Sequence, residues 1–257
     1  MWYDHGVKMP FTEWARRRGG KSVILAIVAL CNVLLFVWTF QARLCLAGAK
    51  DGRVHQFPKG SRLILSFSIV LANFVIWCLE LYTVHKLLIF TGMLFSFAGD
   101  LSMAGLLPWR NRLIGGMMTF GVAHCSYMAA FIAAAHANGT TVFNVCLLAA
   151  FCGYTGMLFF MWRAFIRNPK KTDLINRGAL LYGLLVGGTA SFALGAASVL
   201  RHSWVCAAIG GLLFVISDAV VAAVNIGEHS IKNKDVWIWI TYIPAQAMIV
   251  YASVLLW

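Results

Sequence analysis

About eight long apolar runs, separated by short polar connections, constrain this chain more than any other feature of its sequence. A helix needs about 20 apolar residues to cross the hydrocarbon core of a bilayer, and each run is close to that length. Helices also satisfy their own backbone hydrogen bonds in lipid. The runs are Ser22–Gln41, Arg62–Leu81, Leu87–Leu107, Leu113–His136, Thr141–Trp162, Gly178–Val199, Ser203–Ile226 and Val236–Trp257. The sequence therefore predicts an all-α, multi-pass integral membrane protein. A basic N-terminal tail over residues 1–21 precedes a single helical bundle over residues 22–257.

The composition agrees with lipid as the main solvent. The chain is 61% hydrophobic and 12% charged, whereas a soluble domain is about 25% charged. Its net charge of +12 comes from basic residues that cluster between the apolar runs. Juxtamembrane charges of this kind face anionic headgroups, and no nucleic-acid motif accompanies them. We therefore expect membrane lipids, and not nucleic acid, as partners; the oligomeric state is not indicated.

Two acidic residues, Asp100 and Asp218, lie well inside predicted spans, whereas the other acidic residues fall in tails, loops or span ends. A charge at bilayer depth costs roughly 2.5–3.5 kcal/mol on an insertion scale, so such residues are candidates for function. The third and seventh spans run in the same direction, and both aspartates lie about 10–12 Å from the same membrane face. That face also carries Arg110, Arg167 and Lys171, and we expect a polar pocket to open toward it.

No Lys or Arg lies deep in any predicted span, so nothing would balance two neighbouring carboxylates. Such a pair shares one proton, which leaves one carboxylic acid and one carboxylate. General acid and base catalysis needs one of each. Five further polar side chains reach a similar depth and share helix faces: His124, Tyr127, Asn225, Tyr242 and Gln246.

Residue chemistry alone leaves three interpretations open. The aspartates could perform acid–base hydrolysis, carry protons in a small transporter or lipid-handling protein, or hold the bundle together through hydrogen bonds. A transporter is disfavoured because the sequence shows no convincing internal repeat and no paired helix-breaking segments. The seven cysteines form no C-x-x-C pair and resemble small apolar packing residues. No spacing of ligands suggests a metal site, and no cofactor motif is present.

Four segments resemble motifs of the lysoplasmalogenase-like YhhN/TMEM86 family of integral membrane proteins. Residues 92–100 are similar to G-L-x-F-S-x-x-G-D, and residues 116–127 to G-x-x-x-F-x-x-x-H-x-x-Y. Residues 211–225 are similar to G-x-x-x-F-x-x-S-D…N, and residues 241–246 to T-Y-x-x-A-Q. The resemblance extends over roughly residues 87–257. Residues 60–64 read Gly-Ser-Arg-Leu-Ile where the family often has Lys-Pro-Leu, so a headgroup role of that lysine is not carried over.

The resemblance implies hydrolysis of the vinyl ether bond of lysoplasmalogens, a class of lysophospholipid. The products would be a fatty aldehyde and a glycerophosphocholine or glycerophosphoethanolamine, formed without a metal or an organic cofactor. Asp100 and Asp218 would be the catalytic acid–base pair, with their individual roles open. The substrate-binding groups would be His124, Tyr127, Asn225, Tyr242 and Gln246. Protonation of a vinyl ether gives an oxocarbenium-like centre that water attacks, much as in glycoside hydrolysis by two carboxylates.

Overall fold

The computed structural model describes residues 2–4, 7–9, 11–48, 59–79, 83–200, 202–252 and 254, and side chains from residue 19 onward within these ranges except residues 42–48 and 59. The helices of the described residues are α1 (Phe11–Gly48), α2 (Lys59–Leu79), α3 (Val84–Ala104), α4 (Arg112–Ala137), α5 (Val145–Met161), α6 (Asp173–Val199), α7 (Trp204–Asn225) and α8 (Lys234–Tyr251). A short antiparallel hairpin, β1 (Trp2–Asp4) and β2 (Val7–Met9), precedes α1. The predicted all-α architecture is confirmed.

The helices follow the predicted spans, with differences at the ends. Seven of them, α1 to α7, are long and apolar enough to cross a membrane, as expected for a multi-pass membrane protein. The remaining helix, α8, has 18 residues and includes the polar side chains of Thr241, Tyr242 and Gln246. Its predicted span runs on to Trp257, which lies outside the described residues. At the other end of the chain, α1 begins at Phe11, inside the predicted basic tail.

Local capping fixes the tight connection between α3 and α4. Gly105 ends α3 in the left-handed region with φ 77°, and its backbone N–H bonds to the last turn of the helix. Asn111 then starts α4, because its side-chain oxygen accepts hydrogen bonds from Leu113 N at 3.0 Å and Ile114 N at 3.3 Å. The two helices therefore lie side by side and antiparallel, with the end of α3 next to the start of α4.

Glycines allow the helices that carry the site to approach closely. A Cβ atom on Gly211 of α7 would lie 2.6 Å from the Ala190 backbone of α6, so no other residue fits there without a shift. Gly99 of α3 is packed in the same way against the Phe120 ring of α4. Small residues at helix contacts are typical of membrane bundles, where close packing replaces the hydrophobic effect between helices. These contacts hold α3, α4, α6 and α7 around a shared interior.

Helix α5 differs from these four because none of its residues is buried. Several of its large side chains, such as Leu148 at 61% exposure, point away from the bundle. It packs along α6 and ends in a π-helical turn, Trp162–Ile166. Below that turn, Asn168 and Asn176 exchange hydrogen bonds of 2.9 Å, which fixes the loop that leads into α6.

Candidate active site

Asp100 lies on α3 and is only 8% exposed. One oxygen of its carboxylate, Oδ2, accepts hydrogen bonds from two hydroxyl groups of other helices. Ser66 of α2 donates at 2.5 Å, and Tyr242 of α8 donates at 3.1 Å. Both donors approach the same oxygen, an arrangement that suits an ionised carboxylate. The carboxylate therefore ties α2, α3 and α8 together at one point.

Asp218 lies on α7, with a side chain that is 19% exposed. Its Oδ2 atom accepts a hydrogen bond of 2.6 Å from the phenol of Tyr182 on α6. His124 of α4 approaches from another side, with Nε2 at 3.9 Å from the same oxygen and 3.5 Å from the Tyr182 hydroxyl. Asp218 thus has one close donor, where Asp100 has two.

His124 is held between Thr189 and the Tyr182–Asp218 pair. Its Nδ1 lies 3.0 Å from Thr189 Oγ1, a hydroxyl that is also within hydrogen-bond distance of Leu185 O at 3.1 Å and His124 O at 3.4 Å. The ring is 1% exposed, and its 3.9 Å separation from Asp218 is too long for a hydrogen bond that would compensate a buried charge. We therefore assign a neutral imidazole whose Nε2 faces Tyr182 and Asp218.

Both aspartates line one cavity with a volume of about 250 Å³. The cavity reaches the membrane face at which α2 and α8 begin and α3 ends, since Arg62, Lys234 and Ala104 also line it. We expected a polar pocket that opens toward the membrane face carrying Arg110, Arg167 and Lys171, and this is the face that the cavity reaches. None of these three lines the cavity, and its basic side chains are instead Arg62 and Lys234.

Arg62 is the basic residue associated most closely with the aspartates. Its guanidinium lies 5.6 Å from the centroid of the Trp239 ring, and its charge acts on Asp100. Cation–π contact of this kind holds a guanidinium in place while leaving its N–H groups free to bind an anion. The expectation that no cation lies near the aspartates is therefore corrected: Arg62, at the start of α2, reaches their cavity.

The structure distributes the five other predicted site residues unequally. Tyr242 contacts Asp100, and His124 lies beside Asp218. Asn225 lines the cavity, although its amide donates to Val221 O in its own helix. Tyr127 does not line the cavity; its hydroxyl bonds to Ser96 Oγ at 3.0 Å.

Gln246 is fully buried, and neither its amide nitrogen nor its oxygen has a hydrogen-bond partner among the described residues. Like Tyr127, it does not line the cavity. Both residues therefore lie deeper in the bundle than the aspartates and touch neither of them through a hydrogen bond of the described structure.

Sequence reasoning missed three residues of the site: Ser66, Tyr182 and Arg62. A depth argument could have found Tyr182, because it lies about 13 Å along α6 from its start on the same face, close to the depth of both aspartates. Ser66 gives no such signal, since single serines are common in membrane helices and bond to their own backbone. Arg62 was assigned to a span end, although a long side chain can reach inward from there.

Two carboxyl groups in one cavity, each held by hydroxyl donors, are suited to moving protons to and from a bound molecule. Among the described residues, no three His, Cys, Asp or Glu side chains lie close enough together to hold a metal ion. The cavity thus combines two carboxyl groups with basic residues near its opening, which add attraction for an anion.

Comparison with known proteins identifies the chain at the level of a family. The model of the YhhN family matches residues 61–253, which include most of α2, all of α3 to α8 and every residue of the cavity named above. No curated protein and no solved structure matches the chain. Since the match covers most of the sequence, the chain belongs to the YhhN family.

Proposed function

We propose that this protein is a membrane-embedded hydrolase that cleaves the vinyl ether bond of lysoplasmalogens. Membership of the YhhN family is consistent with such a hydrolase. The observation that carries the proposal is the shared cavity of Asp100 and Asp218, which opens at a membrane face through basic residues. A lysophospholipid fits this arrangement, because its anionic phosphate lies at the membrane face, near the basic residues, and its chain lies in the bilayer.

The reaction needs one proton delivered and one removed. A carboxylic acid protonates the carbon–carbon double bond, and the resulting oxocarbenium-like centre is attacked by water that the carboxylate deprotonates. The hemiacetal then collapses to an aldehyde and the glycerol alcohol. A cavity of about 250 Å³ holds the glycerol portion and water together beside both carboxyl groups.

Arg62 and Lys234 supply the attraction for the substrate phosphate. An arginine held over an aromatic ring binds phosphate oxygens with a defined geometry, whereas a lysine acts mainly as a point charge. Both line the cavity on the side away from the bilayer centre, so the phosphate binds at the membrane face while the scissile bond lies deeper, near the aspartates.

The test compares substrates on purified protein. A lysoplasmalogen and the ester-linked lysolipid with the same chain and headgroup are incubated separately, and aldehyde and fatty acid are measured. We expect aldehyde from the first and no fatty acid from the second, because protonation of a vinyl ether does not cleave an ester. Absence of aldehyde, together with Asp-dependent movement of protons or lipid across liposomes, would establish a transporter instead.

A further inference from the structure

A second cavity lies directly behind Asp218 and has no assigned role. It has a volume of about 60 Å³ and lies between α5, α6 and α7. Its walls are mainly apolar and include the side chains of Tyr154, Met157, Leu158 and Ala219. We call this cavity the apolar groove.

The apolar groove and the polar cavity share two residues, Tyr182 and Asp218. Asp100, Arg62 and Lys234 line only the polar cavity. Asp218 therefore lies at a boundary, with a charged opening on one side and an apolar space on the other. Asp100 lies wholly on the polar side.

The groove borders the lipid. Its α5 wall belongs to a helix without buried residues, and Met157 in that wall is 44% exposed. At the opposite wall, glycines of α6 let α5 pack closely: Gly183 lies against Leu158, and a Cβ on Gly187 would come within 3.2 Å of Tyr154. The groove is therefore closed between α5 and α6, and a chain enters from the bilayer between α5 and α7, which share few contacts.

We propose that the apolar groove binds the alkenyl chain of the substrate and that Asp218 is therefore the proton donor. This inference rests on the proposed function and assigns a binding place to each end of the substrate. The phosphate binds on the side of Arg62 and Lys234, the chain occupies the groove, and the vinyl ether between them lies at Asp218 and Tyr182.

The acid role follows from where the proton must go. Protonation occurs on C2′, the vinyl carbon on the side of the chain, and this carbon is the one that faces the groove. The proton leaves Asp218, a C2′–H bond forms, and positive charge develops on C1′ and the ether oxygen. Water then attacks C1′ and gives its proton to Asp100. In the collapse, Asp100 returns that proton to the departing glycerol oxygen, and Asp218 accepts the hydroxyl proton of the hemiacetal, which restores both carboxyl groups.

The hydrogen bonds around each aspartate agree with these roles. Asp100 accepts from both Ser66 and Tyr242, as suits a carboxylate that acts as a base. Among the described residues, Asp218 has one donor, Tyr182, and the neutral His124 beside it adds no positive charge that would stabilise a carboxylate. The surroundings therefore keep the shared proton on Asp218 before the reaction.

The groove is tested by its effect on chain length. Ala219→Leu fills the groove, and the matched control Ala149→Leu adds the same side chain on the lipid-facing surface of α5. For a long-chain lysoplasmalogen, we expect kcat/KM of Ala219→Leu to fall about tenfold or more, while an analogue with a chain too short to fill the groove changes less than about threefold. The control should follow the wild type on both substrates.

A second pair of variants tests the groove even if Ala219→Leu does not fold. Leu158→Ala widens the groove, whereas Leu148→Ala makes the same change at an outward-facing position of α5. We expect only Leu158→Ala to shift the preferred chain length. If the wild type releases aldehyde but the variants of both pairs keep the wild-type chain-length preference, the groove does not bind the alkenyl chain. If the wild type releases no aldehyde, the proposed function itself is wrong.

Azide distinguishes the acid from the base. Asp100→Ala retains the acid, so azide can capture C1′ of the oxocarbenium-like centre and restore consumption of the substrate as an azido ether. Asp218→Ala cannot form that centre and should stay inactive in azide. Rescue of Asp218→Ala alone, equal rescue of both variants, or no rescue of Asp100→Ala would overturn the assignment of Asp218 as proton donor.

Discussion

Asp100 and Asp218 face one cavity from opposite helices, but they differ in their hydrogen-bond donors and in the groups that surround them. Asp100 is 8% exposed, accepts from two hydroxyl groups and lies near Arg62. Asp218 accepts from one phenol, lies beside a neutral imidazole and borders an apolar groove. We infer that the helices around them give these two identical side chains at matching depth separate roles, as in other enzymes that use two carboxyl groups.

The largest effect is expected from removing either carboxyl group. Asp100→Asn and Asp218→Asn should each lower turnover by about 10²–10⁴-fold, because general acid–base steps contribute about that much. The double variant should lose little more than either single variant, since the two groups act as a unit. Asp173→Asn is the matched control, because Asp173 is exposed and forms a surface ion pair with Arg177 at 3.7 Å.

These variants are measured by aldehyde release, with folding checked by the helical circular dichroism signal. The Asn variants should fold, since an amide carries no buried charge. Folded single variants that both keep more than about a tenth of wild-type turnover would contradict the acid–base assignment.

A smaller effect separates the two tyrosines. Tyr182→Phe removes the close donor of Asp218, which stabilises the negative charge that develops on this carboxyl group as its proton leaves. It should lower kcat by about 10–100-fold, because a hydrogen bond to a charged group contributes roughly 1.5–3 kcal/mol. Tyr242→Phe leaves Ser66 in place on Asp100 and should cost less than about tenfold. If the two variants lose equal fractions of steady-state kcat, the single donor of Asp218 matters no more for catalysis than one of the two donors of Asp100, which would contradict this difference between the aspartates.

Arg62 should affect binding more than chemistry. Arg62→Gln removes the guanidinium over Trp239, and we expect KM for a lysoplasmalogen to rise about tenfold while kcat changes little. Arg177→Gln is the control, because Arg177 is on the exposed surface of α6. A fall in kcat with unchanged KM would place Arg62 in the chemical step instead.

The smallest effect is expected from the exposed ion pair of Lys171 and Glu228, which lies outside the membrane-spanning helices. A hydrogen bond from Lys171, with 2.7 Å between Nζ and Oε1, lowers the pKa of Glu228 below its ordinary value of 4.5. Since the folded-state pKa is depressed, the stabilisation is present above the unfolded-state pKa and is lost as the pH falls through the folded-state pKa. Glu228→Gln should thus lower Tm slightly at neutral pH and not in acid, because exposed pairs contribute little. A Tm difference that grows in acid would contradict this sign.

The sequence predicted the helices and the two aspartates because both leave strong signals. An apolar run of about 20 residues has few alternatives to a membrane helix, and a carboxylate inside such a run is rare. Tyr182 and Ser66 leave weak signals, since hydroxyl groups are tolerated in apolar spans and their partners come from other helices. Which helices meet depends on packing contacts such as that of Gly211 with Ala190, which no periodicity reveals.

Helix packing and depth in the bundle decide which of the remaining predicted site residues line the cavity. Tyr127 shares a helix face with His124 at helical spacing, but the packing of α4 on α3 directs its hydroxyl to Ser96 and not into the cavity. Gln246 follows Tyr242 by one turn of α8, which carries it deeper than the cavity extends. The pattern thus identified the polar faces of these helices, while the distance of each residue from the opening decided whether it lines the cavity.

The pH dependence of kcat/KM tests the account most directly. One protonated and one ionised carboxyl group predict a bell-shaped profile, whose two limbs belong to the coupled pair. Replacing either aspartate by Asn should abolish this shape in whatever activity remains. A wild-type profile that is flat between about pH 5 and 9, with chemistry shown to be rate-limiting, would contradict the claim that the two aspartates share the proton that the reaction uses.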